Sequence, residues 1–128
     1  MSGPAPAQTA EQLLAAMLNK PFYVAIRHPL DLTRMGELLE AHLRWAIAAE
    51  KRGELFASGP FVADGVPPGQ VGGMTILRAG SLTEAKDILA QDPFIREGVF
   101  SVELRAWRLM EGEFTVNVRF SDQRSRLL

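Results

Sequence analysis

The chain has 128 residues, of which 47% are hydrophobic and 23% charged, the composition of one soluble globular domain with a single core. Fourteen basic against fifteen acidic side chains leave a net charge of -1, which argues against a nucleic-acid partner. The absence of cysteine excludes disulfides and thiolate metal sites, and with only two histidines we expect neither a metal nor another cofactor.

The N-terminal segment 1–20 is predicted to be a disordered start followed by a short helix. Residues 1–8 are small and proline-bearing, whereas Thr9 and Gln12 have the spacing of a capping box and apolar residues at helical spacing follow. The start lacks the charged and long apolar segments of a signal sequence, and no run of about 18 apolar residues occurs. We therefore expect a cytoplasmic protein without a membrane partner.

The next segment predicts a strand and a long helix. Alternating apolar residues indicate a strand over 22–28. From about Leu32 to Arg52 the apolar residues instead recur every three or four positions, which indicates a helix that ends at Gly53. His42 belongs to the apolar stripe of this helix and not to its charged face.

Two further strands and a second helix follow. The strands are predicted over 55–61 and 72–79, on either side of a glycine- and proline-rich loop over 64–71 that reads as a mobile hairpin loop. Ser81 and Glu84 have the spacing of another capping box, which starts a second helix. We expect Pro93 to stop it.

The C-terminal part begins with a fourth strand, from Phe100 towards Leu109. After a turn at 111–113, alternation over 114–120 indicates a fifth strand or a hairpin extension. Residues from Ser121 onward show no pattern.

The element order βαββαβ predicts an α+β, ferredoxin-like fold: one antiparallel sheet with both helices on one face. We divide the chain into the N-terminal segment 1–20, the ferredoxin-like domain 21–110 and a C-terminal extension 111–128. The opposite sheet face is partly apolar, and pairing two copies about a two-fold axis would cover it. We therefore expect a homodimer or a higher homo-oligomer.

Chain direction sends His28, the loop over 61–73 and Asp92 to one edge of this sheet. His42 lies about ten residues, or roughly 15 Å, into its helix, so contact with Asp92 depends on how the helix ends pack. A histidine can exchange a proton near neutral pH, and a carboxylate on one ring nitrogen fixes its tautomer. Asp92 followed by Pro93 is also a good helix start, and the two roles are compatible.

Six short motifs occur in a fixed order between Pro21 and Met110. They are Ala41-His42-Leu43, Ser58-Gly59-Pro60 behind Gly53-x-Leu55, Gly73, Ser81-Leu82-x-Glu84-Ala85, Asp92-Pro93-Phe94 and Gly98-Val99. Together they resemble the YCII-related family of dimeric α/β barrel proteins. The resemblance implies a ferredoxin-like fold and a catalytic centre at His42 and Asp92. It leaves the reaction open, although one branch of the family acts as a dehydrochlorinase on hydroxylated aromatic rings.

Five further residues are candidates for binding a substrate: Ser58, Gly59, Pro60, Phe94 and Trp45. Ser58 can hold a substrate oxygen or satisfy a local backbone group. Trp45, one turn from His42, can line a pocket or anchor the core, and His42 itself can be a core histidine bonded to a carbonyl.

The remaining candidates are expected to lie at the surface. Arg27 and Arg34 can attract an anionic substrate, but we expect both to be exposed charges. His28 is expected to end its strand near solvent.

The leading hypothesis is a cofactor-free lyase, isomerase or dehydrochlorinase that acts on a small hydroxylated aromatic or lactone-like molecule by His/Asp proton transfer. The alternative is a non-catalytic dimeric module that binds a small metabolite or supports another enzyme. A separation above about 6 Å between the His42 ring and the Asp92 carboxylate would favour this alternative. A third hypothesis is a cofactor-free barrel monooxygenase.

Overall fold

The computed structural model describes residues 3–4 and 6–128, so the predicted disordered start over 1–8 lies partly outside the described residues. Two compact units are present, residues 21–108 and a second unit that joins the N-terminal segment to residues 109–128. None of the helices in the described part of the chain is long and apolar enough to cross a membrane.

The larger unit confirms the predicted α+β fold. Its strands are β1 (Lys20–Pro29), β2 (Leu55–Pro60), β3 (Gly73–Leu77) and β4 (Phe100–Leu109). They form one antiparallel sheet in the order β2-β3-β1-β4, the order of a ferredoxin-like fold.

Three helices belong to this unit: α2 (Met35–Lys51), α3 (Leu82–Leu89) and the short α4 (Pro93–Arg96). Two helix boundaries differ from the sequence prediction. Residues Leu32–Arg34 form a separate 3-10 turn before α2, and α3 already ends at Leu89. Pro93 opens α4 with Asp92 as its cap, as the Asp92-Pro93 pair predicted. Proline suits the first position of a helix because the amide hydrogen that it lacks would have no partner there.

The core lies between one sheet face and the helices. Ala25 of β1 and Leu77 of β3 pack against Ala85 and Leu89 of α3, with Trp45 of α2 at their side. A second cluster of buried residues joins Phe94, Val99 and Phe100 next to the start of α2. Because β1 alternates, Phe22 points to the other sheet face, where its ring lies 4.6 Å from that of Phe56.

The smaller unit contains α1 (Ala10–Ala16) and two short strands, β5 (Val116–Val118) and β6 (Ser125–Leu127). The capping box predicted at Thr9 is present. The strands pair antiparallel, so the predicted fifth strand is one arm of a hairpin, and its partner lies in the tail that showed no pattern. A strand of three residues is too short to display an alternation.

Candidate active site

His42 lies on the face of α2 that packs towards the rest of the unit, and only 8% of its surface is exposed. Its Nδ1 atom lies 2.8 Å from Oδ1 of Asp92, within hydrogen-bond distance. The structure therefore brings together the two residues that the sequence analysis paired across fifty positions.

Asp92 connects α3 to α4 and is 1% exposed. It caps α4, because its Oδ1 atom accepts a hydrogen bond of 3.0 Å from the backbone N–H of Phe94. The same oxygen therefore serves the helix cap and His42, so the two roles considered for Asp92 coexist. The cap holds the carboxylate in the orientation that His42 requires.

The contact with Asp92 assigns the tautomer of His42. A carboxylate oxygen can only accept a hydrogen bond. Nδ1 therefore carries the ring proton and donates a hydrogen bond to Asp92. The lone pair of a neutral ring then lies on Nε2, which has no hydrogen-bond partner in the described part of the chain. Nε2 is the atom that can accept a proton.

Phe94 fixes the plane of the histidine ring. The two rings stack with centroids 4.2 Å apart and an angle of 14° between their planes. Phe100 in turn meets Phe94 edge to face at 5.4 Å. His42 is thus held by a hydrogen bond at its edge and by an aromatic ring against its face.

Arg27 is not the exposed charge that we expected, since only 6% of its surface is accessible. It lies on the same side of β1 as Ala25, which faces the core. Its guanidinium donates to the hydroxyl of Thr75, to Ser58 Oγ at 3.4 Å and to the carbonyl of Gly59 at 3.2 Å. Burial lowers the pKa of Arg27, and the negative charge of Asp92 opposes this shift.

Neighbouring strands assemble the group around Arg27. Ser58 of β2 stands opposite Thr75 of β3, and their hydroxyl oxygens lie 2.9 Å apart. Arg27 of β1 stands opposite Gly73 of β3, where no side chain occupies the space above the strand. A Cβ atom at Gly73 would lie 2.7 Å from the carbonyl oxygen of Gly59 and would overlap the guanidinium.

A cavity of about 430 Å³ joins these groups. Its wall includes His42, Arg27 and four of the five predicted substrate-binding residues: Ser58, Gly59, Pro60 and Phe94. Pro68 and Gly69 of the glycine-rich loop close one side. An apolar cavity with a few convergent polar groups is the usual form of a small-molecule site.

Of the two roles left open for Trp45, core anchor and pocket lining, its position agrees with the first, because it is not among the residues that line the cavity. Its ring packs beside the core cluster of Ala25 and Leu77, 6.1 Å from the His42 ring. The indole N–H is buried and has no hydrogen-bond partner in the described part of the chain. Trp45 therefore anchors the core beside the site.

Sequence reasoning missed the burial of Arg27 and the part played by Thr75. Alternation along β1 places Arg27 on the same face as Ala25, but it does not say which face is covered by helices. Two adjacent glycines, Gly72 and Gly73, at the start of β3 were the available signal. Both lie against Arg27, one against its backbone and one against its side chain.

The described residues contain no group of three or more histidine, cysteine or acidic side chains able to hold a metal ion. His28 lies at the surface, as expected, and its Nε2 atom is 3.4 Å from Glu103 Oε2. Arg34 is also exposed and pairs with Glu37 and Glu97. The polar side chains in the cavity wall are His42, Arg27, Ser58 and Glu50.

Comparison with known proteins bears on both fold and family. No curated protein matches the chain. Among solved structures, the 5-chloro-2-hydroxyhydroquinone dehydrochlorinase of Burkholderia phenoliruptrix AC1100, in complex with 2,5-dihydroxybenzoquinone, resembles this chain with a TM-score of 0.57. The two share 21% sequence identity, over 67% of this chain and 92% of that one, which shows a common fold. The YCII-related domain model matches residues 22–108, and the chain therefore belongs to the YCII-related family, as its motifs indicated.

Proposed function

We propose that this protein is an enzyme that transfers a proton on a small hydroxylated aromatic or lactone-like molecule and needs no cofactor for that step. The observation that carries the proposal is the 2.8 Å contact between His42 Nδ1 and Asp92 Oδ1, on a residue that lines the cavity. The distance is far below the 6 Å beyond which a non-catalytic module would be favoured.

In the proposed step, neutral His42 accepts a proton on Nε2 from a ring hydroxyl or from a carbon next to a carbonyl. The positive charge that forms on the ring lies against the Asp92 carboxylate, which stabilises it. The electron pair left behind passes into the substrate and collects on an oxygen as a phenolate or enolate. His42 then returns its proton, so one residue serves as base and acid.

Arg27 and Ser58 supply the polar stabilisation that such an anion needs. A guanidinium has five N–H donors, and among the described residues this one has three acceptors, so two donors remain without a partner there. A buried cation stabilises an oxyanion more strongly than an exposed one, because little water screens the interaction. We assign Arg27 and Ser58 to the substrate oxygen that becomes negative.

The similar Burkholderia enzyme is a dehydrochlorinase whose structure holds a dihydroxybenzoquinone, and this supports a hydroxylated ring as the substrate class. Elimination is within reach of the same groups. His42 takes the proton, the electrons of the broken bond to hydrogen form the new double bond, and the leaving group departs with its own bonding pair. An isomerase would instead return the proton at another carbon.

The test is a thermal-shift screen of hydroxylated aromatics and lactones, followed by turnover of each ligand that stabilises the protein. We expect His42→Ala to lower the rate by about 100- to 10,000-fold. Asp92→Asn keeps an oxygen for the helix cap but can donate to Nδ1, which moves the ring proton to Nε2, and we expect a loss of the same order.

His28→Ala is the matched control, because it removes the exposed histidine and should leave the rate unchanged. Circular dichroism would establish that each variant is folded. Full turnover by folded His42→Ala would contradict the proposal and would leave a binding module as the better description of the cavity.

A further inference from the structure

The cavity extends well beyond the groups assigned to the reaction. Seven residues of α2 contribute to its wall, at the spacing of one helix face: Met35, Leu39, His42, Leu43, Ala46, Ile47 and Glu50. At 1.5 Å per residue these positions span about 22 Å along the helix. His42 lies near the middle of this span, so a groove continues on the side of Glu50.

The volume is larger than a single ring requires. A cavity of roughly 150 Å³ accommodates benzene, whereas this cavity has about 430 Å³. A hydroxylated ring beside His42 and Arg27 therefore leaves more than half of the space unfilled. The remaining volume is either left unfilled by the ligand or binds a second part of it.

The wall beyond His42 is apolar. Between His42 and Glu50 it consists of Leu43, Ala46 and Ile47 from α2, and Leu55 of β2 lies across from them. Leu43 and Ile47, four residues apart on the helix, are each about half exposed. When a ligand covers apolar surface that is otherwise in contact with water, the burial of that surface contributes favourably to the free energy of binding.

The groove ends at a charge. Glu50 is exposed and lies two turns beyond His42, or about 12 Å along the helix axis. A carboxylate at this place disfavours a ligand that carries a second negative charge at its far end.

We propose that the substrate is not a bare ring but carries an extended apolar substituent with an uncharged end, which lies along α2 from His42 to Glu50. The reactive ring occupies the part of the cavity near His42 and Arg27, and the substituent covers Ala46, Ile47 and Leu55. This inference rests on the proposed function for the direction in which the ligand lies. It adds a substrate class, alkyl- or aryl-substituted phenols or lactones, and a subsite that selects for them.

The experiment measures binding of alkylcatechols, with the alkyl chain para to one hydroxyl and its length increased from methyl to octyl, by calorimetry on the full chain. We expect the affinity to rise about two- to fourfold with each methylene group and to level off when the chain reaches Glu50. A chain of equal length that ends in a carboxylate should bind up to about fivefold more weakly, and Glu50→Gln should reduce this difference.

Two variants test the subsite without touching the reactive groups. Ala46→Phe fills the groove and should remove the rise in affinity with chain length. Ala41→Phe is the matched control, since Ala41 is an exposed residue of the same helix outside the cavity wall. Ile47→Thr keeps the branched Cβ atom, removes apolar surface and adds a hydroxyl group, and should lower the gain in affinity per methylene group.

The possible results separate this inference from the proposed function. Loss of affinity for every member in His42→Ala, with an unchanged gain per methylene group, supports both. If His42→Ala changes neither turnover nor binding, and affinity still rises with each methylene group, the subsite is supported and the catalytic role is refuted. Affinity that does not depend on chain length, or no binding of any member, overturns the subsite. A change of oligomeric state in Ala46→Phe without ligand also overturns it, because the groove would then be a protein contact.

Discussion

Gly73 gives the guanidinium of Arg27 the space that it occupies above β3. A side chain at this position would meet the guanidinium and the backbone carbonyl of Gly59 at once. The side chain of Arg27 can move, but the neighbouring strand cannot do so without breaking its pairing with β3. Glycine is required here for lack of a side chain and not for its backbone freedom, since Gly73 has an ordinary strand conformation.

Gly73→Ala is therefore expected to lower the free energy of unfolding by about 1–3 kcal/mol, the usual cost of overpacking a filled site. It should also weaken the binding of phenolic ligands, because Arg27 is displaced. Gly36→Ala is the control: nothing lies within 4 Å of the added Cβ, and alanine in the first turn of α2 should be neutral or stabilising by up to about 1 kcal/mol. Denaturant unfolding of both variants measures the difference, and equal stability of the two would contradict the steric argument.

At the scale of elements, helix ends fix the site. The start of α4 orients Asp92, and a 3-10 turn before α2 is capped by Asp31, whose Oδ1 atom accepts from the N–H of Thr33 at 3.0 Å and from its hydroxyl at 2.6 Å. Neither feature follows from the periodicity that predicted the helices. Apolar spacing predicts one continuous helix from Leu32, because a 3-10 turn and an α-helix have similar apolar spacing over three residues.

The cap at Asp31 predicts a pH effect. Its hydrogen bonds to Thr33 lower the pKa of Asp31 below its ordinary value. A carboxylate with a lowered folded pKa contributes stability above its unfolded pKa, and this contribution is lost as the pH falls through the folded pKa. Asp31→Asn keeps the cap oxygen but does not titrate. The stability difference between wild type and Asp31→Asn should therefore shrink on acidification, measured by denaturant unfolding across the acid range; a constant difference would refute the role of the cap.

At the scale of the whole molecule, the sheet face away from the helices is an apolar surface to which no role has yet been assigned. Val24 and Ile26 of β1 and Met74 and Ile76 of β3 line a hollow of about 550 Å³ beside Trp107. Glu103 and Arg105 of β4 border it with opposite charges, so the face suits pairing with a copy of itself. The homodimer predicted from the sequence remains our expectation for this surface.

Met74→Lys is expected to shift the protein towards the monomer, because it places a charge in the centre of the proposed dimer surface. Light scattering after size-exclusion chromatography measures the change in mass. Val62→Lys, which replaces a more exposed apolar residue in the loop after β2, should leave the mass unchanged. A mass that is the same for wild type and Met74→Lys would argue against this interface.

The sequence by itself determined the order of the four sheet strands and of the two helices between them, the fold class and the family, because hydrophobic periodicity and short motifs are local properties of the chain. It also identified His42 and Asp92 as chemically suitable partners. It did not determine their contact, which depends on how the start of α4, capped by Asp92, packs against α2.

Only the tertiary structure decided which charges are buried and which residues line the cavity. A strand pattern defines two faces without naming the covered one, so Arg27 was taken as exposed. The helical spacing of Trp45 likewise left open whether its ring lines the pocket or packs in the core. The helices cover the sheet face that carries Arg27, and the ring of Trp45 packs against the core cluster. Burial is a property of the packed layers, and for this reason the site could be located from the sequence only in part.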